Sequence, residues 1–489
     1  MSPQSFPQEK KVLALALLAL AQFVVVLDAS IVNVALPSIG KDLDFAQDDL
    51  SWVVNAYTLF FGGFLLLGGR MADLLGRRRL FIGGLVLFAV ASLAGGLATS
   101  PGMLIAARAV QGLGAALLSP AALSLVTVIF KEGAERNKAM GVWGAVAGSG
   151  GAAGVLLGGV LTEYAGWEWV LFVNTPIGIA AAFLAPRLLP ESKNEGTRNF
   201  DVAGAVTVTA GLTLLVYTLV DANDAGWLSG QTLGLGAISL AFIAAFVGIE
   251  TRSKAPLVPF SFFRRRTITG TNVVALLVAM ALFSMFFFVS LYMQLVLGYD
   301  ALEAGLAYLP LAVGIIVSAG LASGLVTRFG FKPILTAGLV LTAIGLVWFS
   351  QVEVGGSYVG DILFPSLIAA VGLGFAFVPM TIGAVSGVAP HEAGLASGLI
   401  NTSQQVGGAL GLAILASIAN SKTDSLMQAA GGDPAALPNA LTQGFQIAFL
   451  VGAGFAVLGA VLSMTLISSR ESRAHAEAAQ AGEVAPAVV

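Results

Sequence analysis

A chain of 489 residues in which 57% of the side chains are hydrophobic and only 10% are charged cannot cover itself with a polar surface, and it reads as a polytopic membrane protein. The net charge of −3 excludes the basic balance that a nucleic-acid partner would need, and the absence of cysteine excludes disulfides, thiol nucleophiles and Cys-based metal sites. His391 and His475 alone could supply imidazole, and both fall outside the apolar runs, which argues against a buried metal site or a histidine relay.

A run of about 20 apolar residues crosses the hydrocarbon core as a helix. Fourteen such spans are predicted, over 13–36, 51–69, 80–99, 103–126, 140–162, 169–189, 202–221, 231–250, 269–297, 304–325, 333–351, 361–382, 395–419 and 445–468. Barrel strands are excluded because no alternating pattern occurs, and helices satisfy their backbone groups internally. With the N-terminus inside, every Lys and Arg falls on the cytoplasmic side except Lys41 and Lys422, which lie outside, and Arg108, which lies within a span. That bias requires an even span count with both termini cytoplasmic. Lys10 and Lys11 before the first run mimic a signal peptide, but removing that span would put the later loops on inconsistent sides, so it is expected to be a retained helix.

Spans 7 and 8 separate two sets of six and are bracketed by charged linkers. The expected organisation is an N-terminal half over 1–198, an extra pair over 199–252, a C-terminal half over 253–469 and a disordered tail over 470–489. The external segment from Ser421 to Gln443, with Gly431, Gly432, Pro434 and Pro438, is expected to be irregular.

Within the first span, Leu27-Asp28-Ala29-Ser30-Ile31-Val32-Asn33-Val34-Ala35-Leu36-Pro37 places a carboxylate in an apolar run. A mid-bilayer carboxylate costs about 2.5–3.5 kcal/mol on insertion scales, so it is seldom present without a use. Low-dielectric surroundings disfavour the charged form of a carboxyl and bring proton exchange nearer to physiological pH, as a proton-coupled transporter needs. The competing reading is an acid held by a neighbouring helix for packing alone. Arg108 is the one base inside a span and requires a partner, either a carboxylate or backbone carbonyls.

After span 2 comes Gly68-Gly69-Arg70-Met71-Ala72-Asp73-Leu74-Leu75-Gly76-Arg77-Arg78-Arg79-Leu80, which suits a tight cytoplasmic turn. Asp73 can accept hydrogen bonds from a helix N-terminus or a nearby Arg and so form a latch that breaks when two halves rock. A topogenic basic cluster would explain the arginines but not the spaced Gly69, Asp73 and Gly76. The pattern resembles the signature loop of the major facilitator superfamily. Leu27 to Pro37, Arg108-Ala109-Val110-Gln111-Gly112-Leu113-Gly114-Ala115-Ala116, Val173-Asn174-Thr175-Pro176-Ile177-Gly178, Leu291-Tyr292-Met293-Gln294 and Ala393 to Gly398 are similar, in this order, to motifs of its fourteen-helix drug:proton antiporter family. A weaker echo, Gly324 to Lys332, follows span 10, with Thr327 where the first copy has Asp73. If only Asp73 makes a charged latch, the two halves contribute unequally to gating.

The resemblance implies an all-α polytopic membrane protein with the major facilitator fold: two six-helix halves plus two extra central helices, 14 transmembrane helices in all. It further implies that Asp28 and Arg108 couple protons, and that Asp73, Gly69, Gly76 and Arg77 gate. Gly150, Gly154 and Gly158 make a smooth face on span 5 that permits sliding, although ordinary packing explains it as well. The family has a Gly-Pro pair where this chain has Gly154-Val155, so the expected kink site is missing and the direction of transport is left open. Glu168 likewise stands where the family commonly has Arg. Polar or aromatic residues inside spans are the candidates for a cavity between the halves, namely Asn33, Asn55, Tyr57, Gln111, Phe286, Tyr292, Gln294, Asn401, Gln404 and Gln405.

The expected function is efflux of an amphipathic or hydrophobic small molecule in exchange for protons across a bacterial inner membrane. The expected protein is a monomer surrounded by lipid, with the proton as coupling ion and no cofactor, metal or nucleic acid. Span 13 carries none of the extra acids found in some relatives, which argues against a dication as substrate. The alternative is a proton-coupled importer or facilitator of a small metabolite. An enzyme is not expected without an acid pair, a buried His or a soluble domain, and no nucleotide-binding loop supports ATP drive.

Overall fold

The computed structural model describes residues 8–45, 50, 52–192, 201–253, 256–389 and 392–481. Its first half contains α1 (Gln8–Asp42), α2 (Trp52–Leu75), α3 (Arg77–Gly96), α4 (Pro101–Ile129), α5 (Ala134–Tyr164), the single turn α6 (Trp169–Phe172) and α7 (Asn174–Leu188). Two further helices, α8 (Val202–Ala225) and α9 (Gly230–Glu250), pack on one another. The second half contains α10 (Arg266–Leu291), α11 (Ala301–Ala307), α12 (Leu309–Phe329), α13 (Phe331–Phe349), α14 (Phe364–Val385), α15 (Ala393–Ala429) and α16 (Leu437–Leu466), followed by α17 (Ser469–Ala481). A π-helical turn, Tyr292–Val296, extends α10, and another, Tyr358–Leu363, leads into α14.

Each of the fourteen predicted spans falls on a helical segment. Among the described residues twelve helices are long and apolar enough to cross a membrane, and thirteen if the two arms of α5 count as one span. The fourteenth is α15, whose 37 residues are ample in length but interrupted by polar side chains. It is enclosed by α2, α10 and α16, so those side chains need not face lipid.

The halves meet where α5 packs on α12 and α14, and where α15 packs on α2 and α4. Glycine sets how closely α5 approaches α1 within the first half. A Cβ at Gly154 would lie 2.8 Å from the Leu27 carbonyl oxygen, and one at Gly158 would lie 2.7 Å from that of Ile31. Without the proline, α5 nevertheless bends by 43° between Ala134–Gly151 and Ala153–Tyr164. The bend follows Ser149-Gly150-Gly151, where Ser149 Oγ donates to the Ala145 carbonyl at 2.6 Å. A hydroxyl turned back on the ladder and two residues of poor helix propensity weaken the helix there without proline. The expectation that the kink site was lost is therefore corrected.

Three other expectations change. Asp73 lies on α2 rather than in a turn, because the helix runs on to Leu75 and the reversal is left to Gly76, at φ +111°. The Ser421–Gln443 segment is mostly helical, since α15 continues to Ala429 and Pro438 is accommodated in the first turn of α16, leaving Gly431 and Gly432 to turn the chain. The tail is not disordered over its first part. α17 docks beneath α12 and α13, because His475, Ala476, Ala478 and Ala479 form one buried face. Residues 482–489, His391, positions 254–255 and the linker 193–200, in which the first domain limit falls, lie outside the described residues.

Candidate functional site

Five helices of the first half converge on Asp28. Arg108 stands on α4, and its Nη1 donates to Asp28 Oδ2 at 2.5 Å; both side chains are 0% exposed. One turn further along α4, Gln111 Nε2 donates to Asp28 Oδ1 at 2.8 Å, and its own oxygen accepts from Arg108 Nη1 at 2.7 Å. The guanidinium also lies 4.4 Å from the ring centre of Tyr57 on α2, and its Nε donates to the Val53 carbonyl. Tyr57 is anchored through its hydroxyl to the Val25 carbonyl on α1. The base left open between a carboxylate and backbone carbonyls thus takes both.

Two partners were not anticipated. Asn174, the first residue of α7 after the break at Val173, donates from Nδ2 to Asp28 Oδ1 at 2.7 Å. Ser92 on α3 accepts from both amides, Gln111 and Asn174, at 3.1 Å each, and donates to the Leu171 carbonyl at 2.8 Å. One carboxylate oxygen therefore holds the cation and the other holds two amides whose orientation a single hydroxyl fixes. Such an arrangement stabilises a charged carboxylate away from water. Arg108 Nη2 and Asn174 Oδ1 are buried without a hydrogen-bond partner. The signal for these residues was present, since both sit inside predicted spans, but a polar side chain in a span names no partner.

At the Arg-rich end of the bundle Asp73 joins the halves. Its Oδ1 and Oδ2 accept the Gly394 and Leu395 amides of α15 at 3.0 Å each, and Arg77 Nη2 donates to Oδ1 at 2.6 Å. Glu392, the residue at the N-cap position of α15, makes no side-chain cap, so Asp73 caps that helix from the opposite half. Close approach requires Gly69, where a Cβ would lie 3.0 Å from Gly398 Cα, and Gly76, where one would lie 2.7 Å from Glu191 Oε1. Arg77 is buried and also donates from Nη1 to Ser192 Oγ at 2.6 Å. Gly154 and Gly158 face α1 beside the Asp28 turn.

The expected cavity residues do not form one set. Tyr57 and Gln111 are fully buried and belong to the Asp28 cluster instead, because a membrane guanidinium needs several partners. Tyr292 is also fully buried, its hydroxyl donating to the Glu353 carbonyl at 2.6 Å, so it fastens the segment between α13 and α14. Asn401 is buried with its amide turned onto the Ser397 carbonyl of its own helix. Asn33 and Gln294 are exposed, while Asn55, Phe286, Gln404 and Gln405 are half-buried, and no hydrogen bond joins one of these six to another. Phe286 stacks on Tyr308, ring centres 5.5 Å apart.

Residues 18–412 match the family described as Major Facilitator Superfamily. The chain belongs to that superfamily. Among its relatives, the puromycin resistance protein pur8 of Streptomyces alboniger is 39% identical over 472 residues, covering 96% of this chain and 93% of that one. The cephamycin export protein CmcT of Amycolatopsis lactamdurans is 44% identical over 414 residues, covering 84% and 85%. The tetracenomycin C resistance and export protein of Streptomyces glaucescens is 33% identical over 471 residues, covering 96% and 82%. These bear out the resemblance to the drug-efflux type. The fold is shared with the human organic anion transporter MFSD10 (TETRAN), at a TM-score of 0.65 and 16% identity over 94% of this chain and 100% of that one. The protein is a multi-pass membrane transporter rather than an enzyme.

Proposed function

We propose that this transporter exports amphipathic or hydrophobic antibiotic-like molecules in exchange for protons, with Asp28 as proton carrier and Arg108 as its counter-ion. The observation that carries this reading is the fully buried Asp28–Arg108 pair, a charge arrangement that packing alone does not require. When a proton from outside neutralises Asp28, the carboxyl ceases to be a counter-ion and Arg108 is left to Gln111, the Val53 carbonyl and the Tyr57 ring. A cluster poised between two charge states can bias a rocking motion. The names of the relatives support export as the direction and antibiotics as the substrate class, and a neutral molecule or monocation suits predicted spans whose interiors hold one acid, Asp28.

In this reading the membrane is the bacterial inner membrane, both termini are cytoplasmic and the protein works as a monomer. Asp73, with Gly69, Gly76 and Arg77, closes the cytoplasmic end, and Gly154 and Gly158 let α5 slide on α1. An inward proton gains about 2.3 kcal/mol per 100 mV before any pH gradient is counted.

The test is substrate-induced proton movement in proteoliposomes with an imposed pH gradient, for a panel of neutral antibiotics, lipophilic cations and anions. Wild type is expected to respond to some members of the panel and Asp28→Asn to none. Coupled movement that persists in Asp28→Asn would sink the assignment.

A further inference from the structure

The two halves do not close the cytoplasmic end in the same way, and the difference falls on α17. In the first half the Gly76 turn rests on the segment just beyond the last helix, with the Arg77 amide donating to the Ser192 carbonyl at 3.0 Å. In the second half the Gly330 turn, at φ +84°, rests on α17, with the Lys332 amide donating to Ser472 Oγ at 3.0 Å. The cross-half contacts repeat too. Asp73 receives the start of α15, and its counterpart Thr327 receives Asn137 Nδ2 from the first turn of α5 at 2.9 Å. A neutral hydroxyl accepting one amide is weaker than a carboxylate accepting two backbone N–H groups and a guanidinium.

At this weaker latch α17 supplies a further contact. His475, 2% exposed, bonds through Nε2 to Asn137 Oδ1 at 3.0 Å and packs edge-on against Phe331, ring centres 5.7 Å apart. α17 is itself fixed to the second half, where Gln480 Nε2 donates to the last carbonyls of α12, those of Thr327 and Arg328, at 3.3 and 2.9 Å. One end of the contact thus belongs to the second half and the other, Asn137, to the first. We propose that α17 is a clasp that holds the cytoplasmic seam shut by bonding His475 to Asn137, replacing the carboxylate that the second signature loop lacks. Opening the seam parts α5 from α12 and must break this bond.

The absence of cysteine makes the test direct. Spin labels at Lys138→Cys and Arg328→Cys, exposed neighbours of the bonded Asn137 and Thr327, report the width of the seam in nanodiscs by electron–electron distance measurement. Ending the chain at Ser468, or substituting His475→Leu in the full chain, is expected to raise the open-to-closed ratio about fivefold, the equivalent of one net hydrogen bond of about 1 kcal/mol. A label at Glu477→Cys reports whether α17 stays docked in His475→Leu. Unchanged seam distances with α17 docked would overturn the clasp, and if the shortened chain does not fold, His475→Leu and Asn137→Ala carry the test. Neither substrate nor a pH gradient is used, so the result stands apart from the assignment of Asp28.

Discussion

At the scale of single residues, what distinguishes Asp28 is the quality of its surroundings. Oδ2 is given to Arg108 and Oδ1 to two amides that Ser92 orients together. Each donor favours the ionised carboxyl, so losing one makes protonation easier. For Asn174→Leu the pH of half-maximal coupled transport is expected to move to higher values by about one unit, since a hydrogen bond to a charged group contributes about 1.5 kcal/mol. Asn174→Ser, which keeps a donor, is expected to restore part of the shift. A purely structural role would lower the amount of folded transporter and leave the pH profile in place. Asn174 and Ser92 could have been picked out as polar residues in spans, but their convergence on Asp28 depends on the break at Val173 that aims α7 at α1. No local pattern encodes that aim.

Among elements, α17 shows how a short segment is held by a few contacts that face inward. Burial, and then the nearby Arg136 cation, push the His475 imidazole down to about 4 from its ordinary 6.5. A depressed value means that the docked helix binds the neutral ring, so its docking is fully supported above pH 6.5 and is lost as pH falls from 6.5 towards 4. A label at Glu477→Cys on α17 is therefore expected to show undocking between pH 6.5 and 4.5 in wild type but only a shallow change in His475→Gln, which keeps a polar side chain without the titration. Equal pH dependence in the two would remove His475 from the account. The charge and Ala content of this segment suggested disorder, because composition counts polar side chains without showing that His475 and three alanines share one face. The bend in α5 has the same origin. Proline is the visible cause of a kink, and Ser149-Gly150-Gly151 achieves one with less conspicuous residues.

On the scale of the whole molecule, the halves are joined at the Arg-rich end by a charged latch on one side of the pseudo-repeat and by a neutral, three-member contact on the other. Removing the charged member should have the larger effect. Asp73→Ala is expected to widen the seam between α2 and α15 more than Thr327→Ala widens that between α5 and α12, by roughly tenfold in population, because it removes a buried carboxylate from beside the Arg77 guanidinium and uncaps α15 together. Distance measurements between labels on α2 and α15 and between labels on α5 and α12 check this directly. Equal effects would mean that the two latches are equivalent despite their chemistry.

The sequence by itself determined the class of protein, the fourteen spans, the superfamily and the three residues with most chemical reason to matter, Asp28, Arg108 and Asp73. The class, the spans, Asp28 and Arg108 follow from a local imbalance, enough apolar side chains in a row to cross a bilayer or a charge where the solvent cannot hold one, whereas Asp73 and the superfamily follow from the spacing of Gly69, Asp73 and Gly76 and the motifs that accompany it. Only the tertiary structure decided who answers those charges. It moved Tyr57 and Gln111 from an expected cavity to the Arg108 guanidinium, brought Asn174 and Ser92 to Asp28, and set Asp73 as the cap of a helix more than three hundred residues away in the chain. The physical reason is that a buried charge fixes the need for partners but not their address, and the address depends on how distant helices pack.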